Sequence, residues 1–332
     1  MPQPFSTKET HRIARLLWSE PLQLHDSSCG PFCEAACVGS THGVHILKVF
    51  QDVSRERDGK VLLSAEQRAD LALHWYNLAR AAHSVCQSVQ VPSSFRARGE
   101  RNALVVAAAE GDSFTELLAH DQECLTSLSD GDVRALGPAL EWLAVLHEEG
   151  SNRCSEVVDQ AEEVKQLVCS TQLLPVVAGF PRHVRALVRS FIDYYREDES
   201  EVVLGGVEGL RMSEAGPFVL DFEYGHYGQG VLDLACLLRE LVISVLVMDK
   251  NPGVLITGAW THYTGARTSV ASSALHDLSS HLAIQVMSAL HGPAERAWAG
   301  RLTRQQRNRI AGWCVARMSG ATGDPAAAVA AH

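Results

Sequence analysis

The feature that most constrains this chain is the order of its hydrophobic periods. Strand-like alternation fills most of the first third, and helical stripes fill nearly all that follows. A short helix is expected over residues 5–19, where Ile13, Leu16 and Leu17 share a face. Beyond it, Leu22 and Leu24 alternate with polar residues, Cys33 to Val38 is apolar but interrupted, and Gly43 to Phe50 (GVHILKVF) is strongly strand-like. Gly30-Pro31 and the segment from Gly39 to Gly43 supply turns, so residues 21–50 predict three antiparallel strands, the last carrying Lys48. Ser64 opens a helix to about Ala82, with Ser64 at the N-cap and Gln67 three residues on. Val89-Gln90-Val91-Pro92 leads to an edge strand near Ser94–Arg98, and Ala103 to Ala109 (ALVVAAA) reads as a buried strand broken by Glu110-Gly111-Asp112-Ser113. Helical stripes then cover residues 132–149, 155–172, 181–196, 230–249, 257–268, 271–291 and 303–318, interrupted by glycine-split apolar runs over 202–222. Strands followed by helices, with one inserted hairpin, predict an α+β fold. They exclude the strand–helix alternation of a doubly wound sheet.

Composition narrows the function classes. The 332 residues are 46% hydrophobic and 20% charged, an ordinary globular balance. The net charge of −10 leaves no basic excess to displace counterions, so nucleic acid is not expected as a partner. The longest apolar run, Leu241 to Met248, is too short to cross a bilayer. Nine cysteines, an odd number scattered along the chain, and a start without signal-peptide pattern predict reduced thiols in a cytoplasmic protein. Cys29, Cys33 and Cys37 recur every four residues, which on a strand spaces them about 13 Å apart, too far for one metal. The Ala-rich stretch from 319 to 332 reads as a disordered tail. Lysine is scarce, at positions 8, 48, 60, 165 and 250 only, so each is worth locating.

Two residues carry charge where charge is costly. Lys48 lies within a run of apolar strand residues and needs an anion to meet it, unless it snorkels from an edge strand. Asp221 ends the apolar strand Phe218-Val219-Leu220-Asp221-Phe222, where a carboxylate must be paired, metal-bound or solvated. Asp233, twelve residues on, reads as the N-cap of a helix beginning at Leu234. The run Arg196-Glu197-Asp198-Glu199-Ser200-Glu201 reads as a solvated connection.

These blocks resemble the aminoglycoside phosphotransferase and choline kinase-like enzymes, whose fold is related to protein kinases. Leu220-Asp221-Phe222-Glu223-Tyr224 is similar to the family's metal-binding strand end, and Asp233-Leu234-Ala235 to its following helix start. Ile46-Leu47-Lys48-Val49 resembles the strand whose lysine contacts nucleotide phosphates, and Val91-Pro92 the segment after the small-lobe helix. Glu110-Gly111-Asp112-Ser113-Phe114 resembles the hinge, and Leu143-Ala144-Val145-Leu146-His147 a helix of the large lobe. Order and spacing over about residues 20–310 carry the likeness. It implies a bilobal protein kinase-like fold, with a β-rich lobe over residues 1–110 and a helical lobe over 111–318. It also implies ATP or another nucleotide held by Lys48, Glu110, Asp112 and Asp221, with Mg2+ on Asp221. The helix partner of Lys48 falls by family spacing near Leu73 or His74. Glu66, the only glutamate of that helix, sits in its first turn, where the helix dipole also explains it.

The departures decide the expected activity. The family's His-Gly-Asp-x-x-x-x-Asn aligns on Leu204-Gly205-Gly206-Val207-Glu208-Gly209-Leu210-Arg211. The proton-accepting aspartate falls on Gly206 and the metal-binding asparagine on Arg211. Arginine repels a second Mg2+, but it can clamp phosphates bidentately. Glu208, two residues past the empty position, is the one carboxylate there that could act as a base; otherwise it is a solvated loop residue. The expectation is a degenerate, pseudokinase-type protein that binds a nucleotide or ligand, or serves as a partner protein. Such folds often serve bacterial biosynthetic or resistance pathways, and the Arg-over-Lys and Ala bias is compatible with a high-GC source. The alternative is an active phosphotransferase on a hydroxyl of a small molecule or peptide, with Glu208 and Arg211 in rearranged catalytic roles.

Overall fold

A computed structural model describes residues 12–15, 17, 23–29, 33–40, 43–54, 61–108, 112–113, 130–151, 158–205, 210–213, 216–219, 222, 224–271, 273–291 and 297–320. The first third is a five-stranded antiparallel sheet. Its strands are β1 (Gln23–Cys29), β2 (Cys33–Ser40), β3 (Gly43–Phe50), β6 (Ser94–Arg96) and β7 (Ala103–Ala107), in the order β1-β2-β3-β7-β6. A small hairpin, β4 (Val53–Ser54) with β5 (Val61–Leu63), leads into helix α1 (Ala65–Val85). The expected capping box is formed: Gln67 N–H donates to Ser64 Oγ at 3.2 Å, and Ser64 N–H donates to Gln67 Oε1 at 2.9 Å. A second box at Thr303 and Gln306 opens the last helix.

Strand alternation divides the sheet between two apolar layers. One face, with Val38, Leu47, Val49, Ala97, Ala103 and Val105, is covered by Ile13 and Ala14 from a helical turn at residues 12–15. The other face places Cys33, Phe50 and Leu104 against Ala69 and Ala72 of α1.

Helices form the rest. They are α2 (Asp130–Ser151), α3 (Val158–Val168), α4 (Arg182–Glu197), α5 (Val231–Val247), α6 (Gly253–Gly265), α7 (Ala274–His291) and α8 (Arg304–Met318). The stripe expected to run to 172 changes form near its end. α3 passes into a π-helical turn, Cys169–Leu173, and then a 3-10 segment, Leu174–Gly179, with Pro175 in its first turn. Proline lacks the N–H that would continue the α-helical ladder, which accounts for the tightened geometry.

Between α4 and α5 lie β9 (Glu201–Val203), β10 (Leu210–Ser213), β11 (Gly216–Val219) and β12 (His226–Gly228). β10 and β11 form the expected hairpin. β10 also pairs with β8 (Asp112–Ser113), so the segment expected as a hinge joins the hairpin as a third strand. β12 pairs with β9. No strand was legible at β12, because its three residues are His, Tyr and Gly, and all of them are buried. The largest apolar core runs from Trp75, Tyr76 and Leu78 of α1 through α2, α5, α7 and α8. The mixed α+β architecture is the one expected. The tail from 321 onward lies outside the described residues.

Candidate functional site

The site is built on the segment that follows β9. Asp233 is the third residue of α5, fully buried, and its carboxylate faces back toward that segment. It accepts hydrogen bonds from the backbone N–H of Leu204 at 2.7 Å and of Gly205 at 3.1 Å. The N-cap of α5 is Gly230, and no side chain caps the helix. The reading of Asp233 as an N-cap is therefore corrected. The helix begins earlier, and the carboxylate orients the loop instead. Gly205 has φ +75, and a Cβ there would lie 2.1 Å from the Tyr224 carbonyl oxygen. Only glycine allows this approach.

A buried polar chain extends from Asp233. His147 of α2 lies 3.1 Å from it through Nε2, and His147 Nδ1 lies 2.8 Å from the Tyr263 hydroxyl. Arg267 donates to that hydroxyl and to Glu201, and Glu201 accepts from the Gly230 N–H at 2.8 Å. Burial alone would raise the Glu201 carboxyl, but the Arg267 bond, His147 and the Gly230 amide hold it below the ordinary carboxylate range. Burial pushes the Tyr263 phenol up, and the nearby Glu201 charge adds to it. This chain ties β9 to α2, α5 and α6, three elements distant in sequence. It also corrects the reading of Arg196–Glu201 as a solvated connection, because Glu201 is drawn inward by Arg267.

A second polar group supports the Tyr224 carbonyl. That carbonyl can only accept, so His226 Nδ1, 2.6 Å away, carries the proton and Nε2 accepts from the Tyr195 hydroxyl. Burial lowers His226 to about 4. His281 donates to Gln229 Oε1 at 2.8 Å, and burial lowers it to about 3. Lys165 is fully buried, donates to the Asp198 carbonyl, and stands 5.8 Å over the Tyr195 ring. Desolvation lowers its pKa despite the acidic groups around it.

Lys48 is buried on β3, paired with Ala35 and Leu104, and so shares the sheet face that meets α1. The acidic residues of α1 are engaged elsewhere: Asp70 with Arg96, and Glu66 with Arg101 at 3.4 Å. The position near Leu73 that a kinase glutamate would take packs as part of the Phe50 and Leu104 cluster. Asp112 pairs with Met212 and Ser113 with Arg211, so the structure brings Asp112 and Arg211 to neighbouring register positions; Arg211 also faces Phe218 of β11. Glu110, Gly206, Glu208 and Asp221 lie outside the described residues. Val219 and Phe222, on either side of Leu220 and Asp221, are buried, and Phe222 meets the Tyr76 ring edge-on at 4.4 Å. Among the described residues, no three His, Cys, Asp or Glu side chains converge as a metal site, and no helix is long and apolar enough to cross a membrane.

Three site features escaped the sequence. Glu201 looked like part of a charged run, although it heads an apolar strand, which was the available signal. Arg267 follows a helical stripe with nothing to distinguish it. Trp75 and Tyr76 are adjacent on α1, and their reach into the helical core shows only in three dimensions.

No family model matches the chain, and no curated protein does. Solved structures do. The amicoumacin kinase hAmiN in complex with AMP-PNP, Ca2+ and Ami superposes with a TM-score of 0.53 at 13% identity, covering 97% of each chain. Choline kinase from Cryptosporidium parvum superposes at 0.51 and 11% identity, over 95% of this chain and 94% of the other. A microcompartment-associated aminopropanol kinase superposes at 0.50 and 12% identity, over 94% and 95%. Over 94–97% of its length the chain therefore shares the fold of these small-molecule kinases.

Proposed function

We propose that this chain is a phosphotransferase-fold protein that holds a nucleotide or related ligand without ordinary kinase turnover. It would act as a pseudokinase-type binding or partner protein in a bacterial biosynthetic or resistance pathway. One observation carries the reading. Both Asp233 oxygens hold the amides of Leu204 and Gly205, yet the residue that follows is Gly206, and Arg211 falls where the resemblance puts the metal-binding asparagine. Glycine offers nothing to take a proton. A guanidinium in place of the second ion favours phosphate contact over metal chemistry. Lys48, buried on the α1 face of the sheet, fits a phosphate contact. Asp221 offers at the strand end the kind of hard oxygen ligand that Mg2+ takes.

A second reading is favoured by the neighbours with kinase names. Amicoumacin, aminopropanol and choline are small amino alcohols or larger amines, and a chain of net charge −10 suits a small cationic acceptor. In that reading Glu208 takes the proton of the acceptor hydroxyl, and Arg211 stabilises the transferring phosphate.

Thermal denaturation with and without ATP and Mg2+ separates the two. At ligand about 100-fold above Kd, binding adds roughly 2.7 kcal/mol of stability. We expect that gain in the wild type and in Glu208→Gln, its loss in Lys48→Ala and Asp221→Asn, and no ATP consumption. ATP consumption that disappears in Glu208→Gln establishes the enzyme instead. Absence of any nucleotide-dependent shift leaves a pure interaction protein.

A further inference from the structure

Two helices of this acidic chain carry arginine without acid. Residues 180–192 and 297–320 hold eight arginines and no Asp or Glu, in a chain whose net charge is −10. Setting those eight aside leaves −18 on the rest of the chain. The two runs are neighbours in space. Helices α4 and α8 pack against each other and bury Val184, Val188, Ile192, Ile310 and Trp313 in one core. Their solvent sides therefore both turn away from that core, and Arg182, Arg189 and Arg304 are exposed on them.

Folding does not account for these three charges. Arg182 and Arg304 are the first residues of their helices, and neither helix has an acidic residue in its first turn. The helix dipole disfavours a cation at that end. Other arginines of the two runs have structural partners. Arg185 donates to the Ala178 carbonyl at 2.8 Å and the Phe180 carbonyl at 2.7 Å, Arg307 donates to the Ala299 carbonyl at 2.6 Å, and Arg309 meets Asp249 at 2.9 Å. A carbonyl partner leaves the guanidinium charge in place. Among the described residues, no hydrogen bond or ion pair engages the side chains of Arg182, Arg189 or Arg304.

Apolar surface lies beside the charge. Arg182, Arg185 and Arg189 follow one stripe of α4, at helical spacing. Leu187, Phe191 and Tyr194 follow a second stripe. Leu187 is 48% and Tyr194 46% exposed, with Phe191 half-buried between them. An occupant that covers both stripes needs acidic and apolar side chains together. The extent of the patch narrows the choice further. α4 has 16 residues and is about 24 Å long. A nucleic acid or an anionic bilayer extends well beyond that length, where the −18 of the remaining chain repels it. A short acidic segment stays within the patch.

We propose that the solvent sides of α4 and α8 form a docking surface for an acidic segment of a partner protein, whose carboxylates meet Arg182, Arg189 and Arg304 and whose apolar side chains cover Leu187 and Tyr194. The proposal goes beyond the nucleotide reading and does not need it.

Fluorescence anisotropy on the full chain tests this surface. The probe is a fluorescein-labelled repeat of Glu-Glu-Leu-Ala about as long as α4, and the control peptide has Ser in place of each Leu. We expect the probe to bind at about 0.05 M salt, roughly tenfold more tightly than the control, and to be released at about 0.5 M. Arg182→Glu, Arg189→Glu and Arg304→Glu together should weaken binding by roughly tenfold or more. The same substitutions should hold or raise the melting temperature, because carboxylates in the first turn suit the helix dipole. Where that variant does not fold, Arg182→Gln with Arg189→Gln carries the same test without reversing the charge. No binding of the probe, equal binding of the control, equal binding by the variants, or a lowered melting temperature in the variant that folds overturns the proposal. Tighter, Arg182-dependent binding of duplex DNA or of phosphatidylserine vesicles overturns it, as does a salt-sensitive dimer of the chain alone that the substitutions dissolve. Failure of nucleotide to bind overturns the proposed function and not this surface.

Discussion

Glu34 is the residue with the least evident reason to be where it is. It sits on β2 opposite Val49, 2% exposed, and neither carboxylate oxygen has a hydrogen-bond partner. Asp233 shows the contrast: equally buried, it has two amide donors and a histidine, and it organises a loop. A carboxylate buried without partners opposes folding, so replacing it with an apolar side chain of similar length should help. We expect Glu34→Leu to raise the stability by about 1–3 kcal/mol, read as a higher urea midpoint with an unchanged slope. A lower midpoint would mean that Glu34 meets a cation in solution.

Elements are joined here by neutral buried histidines. β12 contributes His226 to the Tyr195 hydroxyl of α4, and α7 contributes His281 to Gln229. Both have folded pKa values depressed by burial, to about 4 and about 3, below the ordinary 6.5. The unfolded chain therefore binds protons first as pH falls. The stability is whole above pH 6.5 and declines below it, until the folded histidines also titrate. Between pH 7 and pH 5 the two together should cost about 4 kcal/mol. His281→Gln should remove about half of that pH dependence. The check is a series of denaturant melts across this range, and a flat profile would refute it.

At the scale of the whole molecule, the strand-then-helix order was legible because each period lasts for many residues. Ser64 and Gln67 even marked the start of α1 to the residue. Lys48 was legible as a buried cation because an apolar strand surrounds it. Asp233 was misread because a single aspartate before an apolar stripe has the signature of a cap, and only the fold brings Leu204 and Gly205 within its reach. Glu201 and Arg267 are 66 positions apart and no local pattern links them. The site is therefore a property of the long-range packing, while the elements that carry it are properties of short windows.

The contacts of Trp75 with Tyr227 and of Tyr76 with Phe222 have a consequence for modularity. The first 110 residues are thus not a portable unit. Expressed alone, they would expose Trp75, Tyr76 and Leu78 to water, and we expect such a fragment to lack cooperative unfolding by circular dichroism and to regain it on mixing with residues 111–320. Recombination that exchanges the sheet and α1 between relatives would succeed only where the residues that meet Trp75 and Tyr76 are kept compatible.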